Sequence, residues 1–145
     1  MTTAPKNTRL VQPYLFFDGL CEEALEFYSK TLGAQVEMLM RFKDSPEPPQ
    51  PGACGAAPGE KVMHATFRIG ETTLMASDGR CQGKTSFQGF ALALTLSTPD
   101  EVDKTFASLA DGGQVQVPLA KTFFSKRFGM VTDRFGICWT LVAAP

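Results

Sequence analysis

The sequence predicts an α+β protein built from two tandem β-α-β-β-β modules, with helices on one face of the sheets and a concave cleft on the other. Three observations carry this: an ungapped internal repeat, a complete helix-start signal in its second copy, and strand pairs that turn at glycine. Sliding residues 14–38 along the chain by 79 positions puts Leu15 on Leu94, Phe17 on Leu96, Glu22 on Glu101 and Phe27 on Phe106. It also puts Gly33 on Gly112 and Gln35-Val36 on Gln114-Val115. Each copy reads as strand, helix, glycine stop, strand.

The elements follow in order. In the first copy an apolar strand around Leu15 and Phe17 leads into Cys21, Ala24, Leu25, Tyr28 and Leu32, an apolar stripe at helical spacing that ends at Gly33. In the second copy Thr98-Pro99-Asp100-Glu101 supplies a capping hydroxyl, a proline at the first helical position and a Glu three residues after the cap. Val102, Phe106, Leu109 and Ala110 continue that helix, and Gly112-Gly113 ends it. Two strand pairs close the copies, 62–69 with 72–76 and 129–132 with 137–142, turning at Gly70 and Gly136. Here the copies re-register with Thr66 on Thr132, Gly70 on Gly136 and Leu74 on Thr140. The shorter offset implies an insertion at 44–61, which holds five of the ten prolines and three glycines. Such a stretch cannot pair as a strand and reads as a long loop, either a lid or partner contact or a tolerated insertion. The expected organisation is one domain over 1–145, with modules at 10–78 and 90–143.

Composition narrows the function classes. A formal net charge of −1 and dispersed Lys and Arg leave no footprint for a nucleic-acid backbone. No apolar run approaches the roughly 20 residues that cross a bilayer, so no membrane partner is expected. Residues 1–8 lack the apolar stretch of a secretory signal, and the four cysteines (Cys21, Cys54, Cys81, Cys138) form neither a C-x-x-C pair nor a zinc spacing. A cytoplasmic protein with free thiols is the expectation. The stretch 79–85, GRCQGKT, is one residue short of a phosphate-binding loop and is followed by no helix signal, so it reads as the connection between copies.

Strand alternation sorts the candidate site residues. Leu15 and Phe17 match Leu94 and Leu96 as the helix-facing set, which points Tyr14, Phe16, Ala93 and Thr95 to the concave side. His64, the single histidine, shares its parity with Thr66 and Arg68. It is either a cleft residue able to donate or accept a proton or a surface or dimer contact. Trp139 precedes Thr140 and faces the helix as core, and Asp133-Arg134-Phe135-Gly136 is a hairpin turn. Lys121, Lys126 and Arg127 flank Phe123-Phe124, a cluster suited to an anionic planar ligand or else simply solvated. The ligand-pocket candidates are thus Tyr14, Phe16, His64, Thr66, Thr95, Phe124, Arg127 and Thr140, with no residue assigned as catalytic.

Pro13-Tyr14-Leu15 leading into Glu23-Ala24-Leu25-Glu26-Phe27-Tyr28 resembles the vicinal-oxygen-chelate superfamily, nearest its PhnB-like branch. So do His64-Ala65 with Ser77-Asp78, and Phe128-Gly129 followed by Asp133-x-Phe135-Gly136-x-x-Trp139. The resemblance spans nearly the whole chain and implies a glyoxalase/bleomycin-resistance-type fold. It implies a homodimer, since two-copy chains of this fold pair to complete their clefts. Metal-using members place His, Gln or Glu on the first and last strands of each copy. Here 11–17 and 90–96 hold no His, Asp or Glu, the closing-strand positions match Leu74 and Thr140, and only Gln12 lies near an expected place. No cofactor is expected, and a divalent ion would need a rearranged site. The branch's usual Trp-Gly, Pro and His are here Phe124-Ser125, Arg134 and Ile137. Some relatives carry a ubiquinone methyltransferase label, but no glycine-rich strand-to-helix turn for a nucleotide-like cofactor is present.

Three function classes remain open. The first is a protein that binds a small organic ligand in the cleft. The second is a glyoxalase- or dioxygenase-like enzyme with a rearranged metal site or His64 as a lone acid or base. The third is a dimeric interaction protein using the proline-rich loop.

Overall fold

The computed structural model describes residues 9–45, 59–79 and 85–145. The chain runs β1 (Tyr14–Phe16), α1 (Cys21–Leu32), β2 (Gln35–Arg41), β3 (Val62–Ile69), β4 (Thr72–Ser77), β5 (Leu92–Leu96), α2 (Pro99–Ala110), β6 (Gln114–Ala120), β7 (Phe128–Thr132) and β8 (Cys138–Ala143). The first four strands form one sheet in the order β1-β4-β3-β2, and the last four repeat that order as β5-β8-β7-β6. In each sheet the first strand runs parallel to the last, and the other pairs are antiparallel. This is the two-module β-α-β-β-β architecture the repeat predicts.

The helices form where the local signals place them. Thr98 accepts from the Glu101 amide at 3.2 Å and Pro99 opens α2. At the end of α1, Gly33 takes φ 66, and the Ala34 amide returns to the Tyr28 carbonyl. Gly113 is required for space, because a Cβ there would run into the Thr132 carbonyl oxygen. The start of α1 has no cap of its own: Leu20 sits at the cap position. Asp78, 1 % exposed at the end of β4, replaces it from 57 residues away, accepting from the Cys21 amide at 2.8 Å and the Gly19 amide at 2.9 Å. Its other oxygen accepts from the Val62 amide at 2.7 Å, so one carboxylate ties the first turn of α1 to β3.

Register corrects the sequence alignment of the closing strands. Leu15 pairs with Ala76 and Leu94 with Leu141, so the counterpart of Thr140 is Met75, not Leu74. Leu74 is 4 % exposed and lies in the core. The two turns differ: β3 and β4 join through Gly70-Glu71, whereas 133–137 make a wider turn in the second copy. Alternation is also broken by bulges. Met63 is an extra residue on β3, which returns the buried Val62 to the side of Ala65 and Phe67. Glu37 on β2 and Gln116 on β6 are extra residues at matching places in the two copies.

One core serves both modules. Tyr28 of α1 stacks on Phe67 of the first sheet (6.3 Å, 12°) and meets Trp139 of the second edge-on (5.6 Å, 65°). Phe135, from the β7–β8 turn, packs edge-on against Phe17, Phe27 and Tyr28. The centre is Asp133, 3 % exposed. One of its oxygens accepts from the Tyr28 hydroxyl at 2.5 Å and the Trp139 indole N–H at 2.9 Å; the other accepts from the Phe135 and Ile137 amides, shaping the turn. The helix-bearing sides of both sheets therefore face inward, and the opposite sides face out. The expected loop at 44–61 is described only at its ends, where Lys43 pairs with Glu60 at 2.7 Å; residues 46–58 and 80–84 lie outside the described residues.

This core makes two predictions. Tyr28→Phe, which strips one donor from a buried carboxylate, lowers stability by about 1–3 kcal/mol, and Asp133→Ala by about 3–5 kcal/mol; denaturant unfolding followed by Trp139 fluorescence measures both. Burial, reinforced by Asp133, holds the Tyr28 phenol above its ordinary value of 10.0, and burial likewise holds the Cys21 thiol above 9.0. Both groups keep their protons in the folded state while the unfolded chain gives them up. Stability is accordingly full at neutral pH and falls as pH rises through about 9–10, each group contributing up to about 1.4 kcal/mol per pH unit. Tyr28→Phe makes that alkaline loss shallower, and an unchanged slope would contradict the assignment.

Candidate functional site

The outward sides of the two sheets collect the candidate residues into two separate sets. On the first sheet the register aligns Met38, Thr66, Met75 and Tyr14 across all four strands, with Met40 opposite His64 in the neighbouring row and Phe16 opposite Ser77. Tyr14, Phe16, His64 and Thr66 thus share one face. Tyr14 is 39 % and Phe16 53 % exposed, and their rings stack at 4.8 Å. Tyr14 Oη and His64 Nδ1 form a hydrogen bond of 2.9 Å, with the two rings edge to face at 5.3 Å. His64 Nε2 has no hydrogen-bond partner among the described residues. Sequence parity places His64 on this face; its bond to Tyr14, 50 residues away, carries no local signal.

On the second sheet, Thr95 and Ala93 of β5 lie beside Val142 and Thr140 of β8, with Met130 and Phe128 next in the rows. Phe124 joins this face through Phe128, ring to ring at 5.2 Å. Arg127 does not: its guanidinium is bonded to Asp103 of α2 at 2.7 Å, on the helix side, because its parity is opposite to that of Phe128. The eight candidates therefore do not converge within one chain, since the shared core holds the two outer faces apart. The chain forms clefts of its own. One of about 580 Å³ runs between the helices past Glu26, Lys30, Asp111 and Arg134, and another of about 650 Å³ lies between the β3–β4 turn and β5, where Ala93 and the candidate Thr95 line it. Neither is lined by Tyr14 or His64.

Among the described residues, the outward donor set of the first and last strands does not fit a chelated divalent ion. At the first- and last-strand positions the outward residues are Tyr14, Phe16, Ala93, Thr95, Met75 and Thr140, none of them a carboxylate or imidazole. Among the described residues no three His, Cys, Asp or Glu are grouped to hold a metal. Asp78, adjacent to this region in sequence, is consumed by three backbone amides. For the same reason the β1–α1 turn does not offer the Gly19 and Cys21 amides to a cofactor phosphate. Cys21 is buried and Cys138 half-buried, both as free thiols, while Cys54 and Cys81 lie outside the described residues.

Two repeated β-α-β-β-β modules with this strand order define a glyoxalase-type, vicinal-oxygen-chelate fold. The fosfomycin resistance protein FosX of Listeria monocytogenes shares it, with a TM-score of 0.61 at 14 % identity over 95 % of this chain and 94 % of that one. Within that class the chain belongs to the PhnB-like family, whose model, described as 3-demethylubiquinone-9 3-methyltransferase, matches residues 9–142. The Escherichia coli protein YjdN is 35 % identical over 136 residues, covering 90 % of this chain and 92 % of YjdN. The structure of PA1353 from Pseudomonas aeruginosa superposes with a TM-score of 0.79 at 37 % identity, covering 94 % of this chain and 98 % of that one.

Because the chain holds a single histidine, the Tyr14–His64 bond can be read directly. In Tyr14→Phe the imidazole Nδ1 resonance moves in ¹⁵N NMR spectra, while stability changes by no more than about 1 kcal/mol, as befits an exposed pair. An unmoved resonance would show that the bond is absent.

Proposed function

We propose that the chain binds a small organic ligand on the outer face of the first sheet, at the Tyr14–His64 pair, without a resident divalent ion. The observation that carries this is the pair itself: a histidine hydrogen-bonded to a tyrosine, beside exposed Phe16 and half-buried Met75, on the outer face of the sheet. Aromatic and thioether groups supply apolar contact, and the phenol and imidazole supply orientation. The face is open, so the reading includes a homodimer in which the second sheet of another copy, with Thr95 and Thr140, closes over it. The free edges of β1 and β5 leave room for such pairing. Unpaired Cys21 and Cys138 agree with a cytoplasmic setting. The same hydrogen bond favours one second reading, turnover by proton transfer at His64.

The test is equilibrium binding of a panel of small organic acids and neutral aromatics to the protein and to its Tyr14→Phe and His64→Ala variants, with the panel recovered and analysed for conversion. The expected result is saturable binding weakened about tenfold in both variants, with the ligand recovered intact. Equal affinity in all three proteins would overturn the site, and conversion lost in His64→Ala would replace binding by catalysis. Sedimentation at micromolar concentration should give a dimer, and a stoichiometric divalent ion in protein purified without chelators would contradict the metal-free reading.

A further inference from the structure

The segment between β6 and β7 is a rigid turn that holds two aromatic rings out of the core. Thr122 and Ser125 close it reciprocally: the Thr122 amide donates to the Ser125 carbonyl at 2.9 Å, and the Ser125 amide donates to the Thr122 hydroxyl at 3.1 Å. The Ser125 hydroxyl accepts from the Ala143 amide at 3.2 Å and donates to the Arg127 carbonyl at 2.9 Å, which fastens the turn to the ends of β7 and β8. Phe123 and Phe124 occupy its two central positions. Phe123 is fully exposed and Phe124 56 % exposed. The rings form an edge-to-face series, Phe123 on Phe124 at 5.1 Å and Phe124 on Phe128 at 5.2 Å, that ends on the outer face of the second sheet. Lys121 and Lys126 bracket the series, exposed and in no ion pair among the described residues. The third cation of the segment, Arg127, is neutralised by Asp103.

From this arrangement we infer that the 121–126 turn is a recognition rim for a planar aromatic anion, a flat ring bearing a carboxylate or sulfonate. The ring stacks against Phe123 and Phe124, and the acid group meets the ammonium groups of Lys121 and Lys126. A floppy loop would have folded its phenylalanines back; here four hydrogen bonds from Thr122 and Ser125 prevent that and prearrange the rings. Charge complementarity selects the anion, because Lys121 and Lys126 stand beside the rings with no ion-pair partner among the described residues. The inference rests on the reading of the outer faces as ligand surfaces and names the chemistry they admit. In a single chain the rim is remote from Tyr14 and His64, so the two can be tested separately.

The probe is 2-naphthoate, titrated by ligand-observed NMR against the intact chain, with 2-naphthylmethanol as the neutral flat control and cyclohexanecarboxylate as the non-planar anion. Saturable 2-naphthoate binding is expected. Phe124→Leu, a substitution at a half-exposed ring whose fold is checked by Trp139 fluorescence, weakens it about three- to tenfold. Lys121→Gln with Lys126→Gln weakens the anion by a similar factor and leaves 2-naphthylmethanol unchanged, while cyclohexanecarboxylate binds more weakly than 2-naphthoate. No saturable binding, or 2-naphthoate affinity in Phe124→Leu and in the double lysine variant as tight as in the unsubstituted chain, overturns the inference. Loss confined to Tyr14→Phe and His64→Ala overturns it too and leaves the proposed function standing. Loss confined to the rim variants supports it and removes the Tyr14–His64 site instead.

Discussion

The Asp133 carboxylate is the contact on which the rest of the molecule depends. One of its oxygens organises the turn that carries Phe135 and Ile137; the other reaches Tyr28 in the first module and Trp139 in the second. A buried carboxylate is costly unless every lone pair is met, and here four donors meet it. Because those donors come from both modules, satisfying the charge fixes how the modules sit: helix-bearing sides inward, with Tyr28 between Phe67 and Trp139. The outer faces are turned away from this core as a direct consequence, and among the described residues Tyr14 and Phe16 stay exposed there.

Asp78 does the corresponding work within the first module, replacing the missing cap of α1 and fastening it to β3. Both Asp78 and Asp133 are therefore structural, their oxygens taken up by backbone amides, the Tyr28 hydroxyl and the Trp139 indole. What remains on the outer faces is aromatic, thioether and hydroxyl chemistry around one histidine, together with a basic aromatic turn. Such surfaces recognise organic molecules through stacking and a few directed polar groups. The family's methyltransferase description draws no support from the β1–α1 turn, whose amides are already bonded.

Much of the fold is legible in the sequence because it is local. The Thr98-Pro99 start, the glycine stops at Gly33 and Gly112, and the apolar stripes of both helices are short-range signals, and each appears where expected. Face assignment from alternation holds for Tyr14, Phe16, His64, Thr66, Thr95 and Thr140. It fails at Val62, where the Met63 bulge shifts parity, and for Leu74, where a wider second turn displaces the repeat by one residue. Arg127 looks like a site cation beside Phe124, yet it sits one residue before Phe128 and so points to Asp103. The roles of Asp78 and Asp133 are invisible beforehand, since their partners lie 57 and 105 residues away and follow no period. The same holds for the back-to-back packing that separates the two sets of candidates.

The account assigns opposite fates to the only two tyrosines of the chain. Tyr28 is locked against Asp133 and fully buried, whereas Tyr14 stands on the open face beside His64. Incorporating 3-fluorotyrosine and recording ¹⁹F spectra with increasing amounts of a small soluble nitroxide tests both at once. The resonance that disappears in Tyr14→Phe should broaden strongly, and the one that disappears in Tyr28→Phe should not. Equal protection of both, or broadening of the Tyr28 resonance alone, would contradict the inward-facing core and the open site built on it.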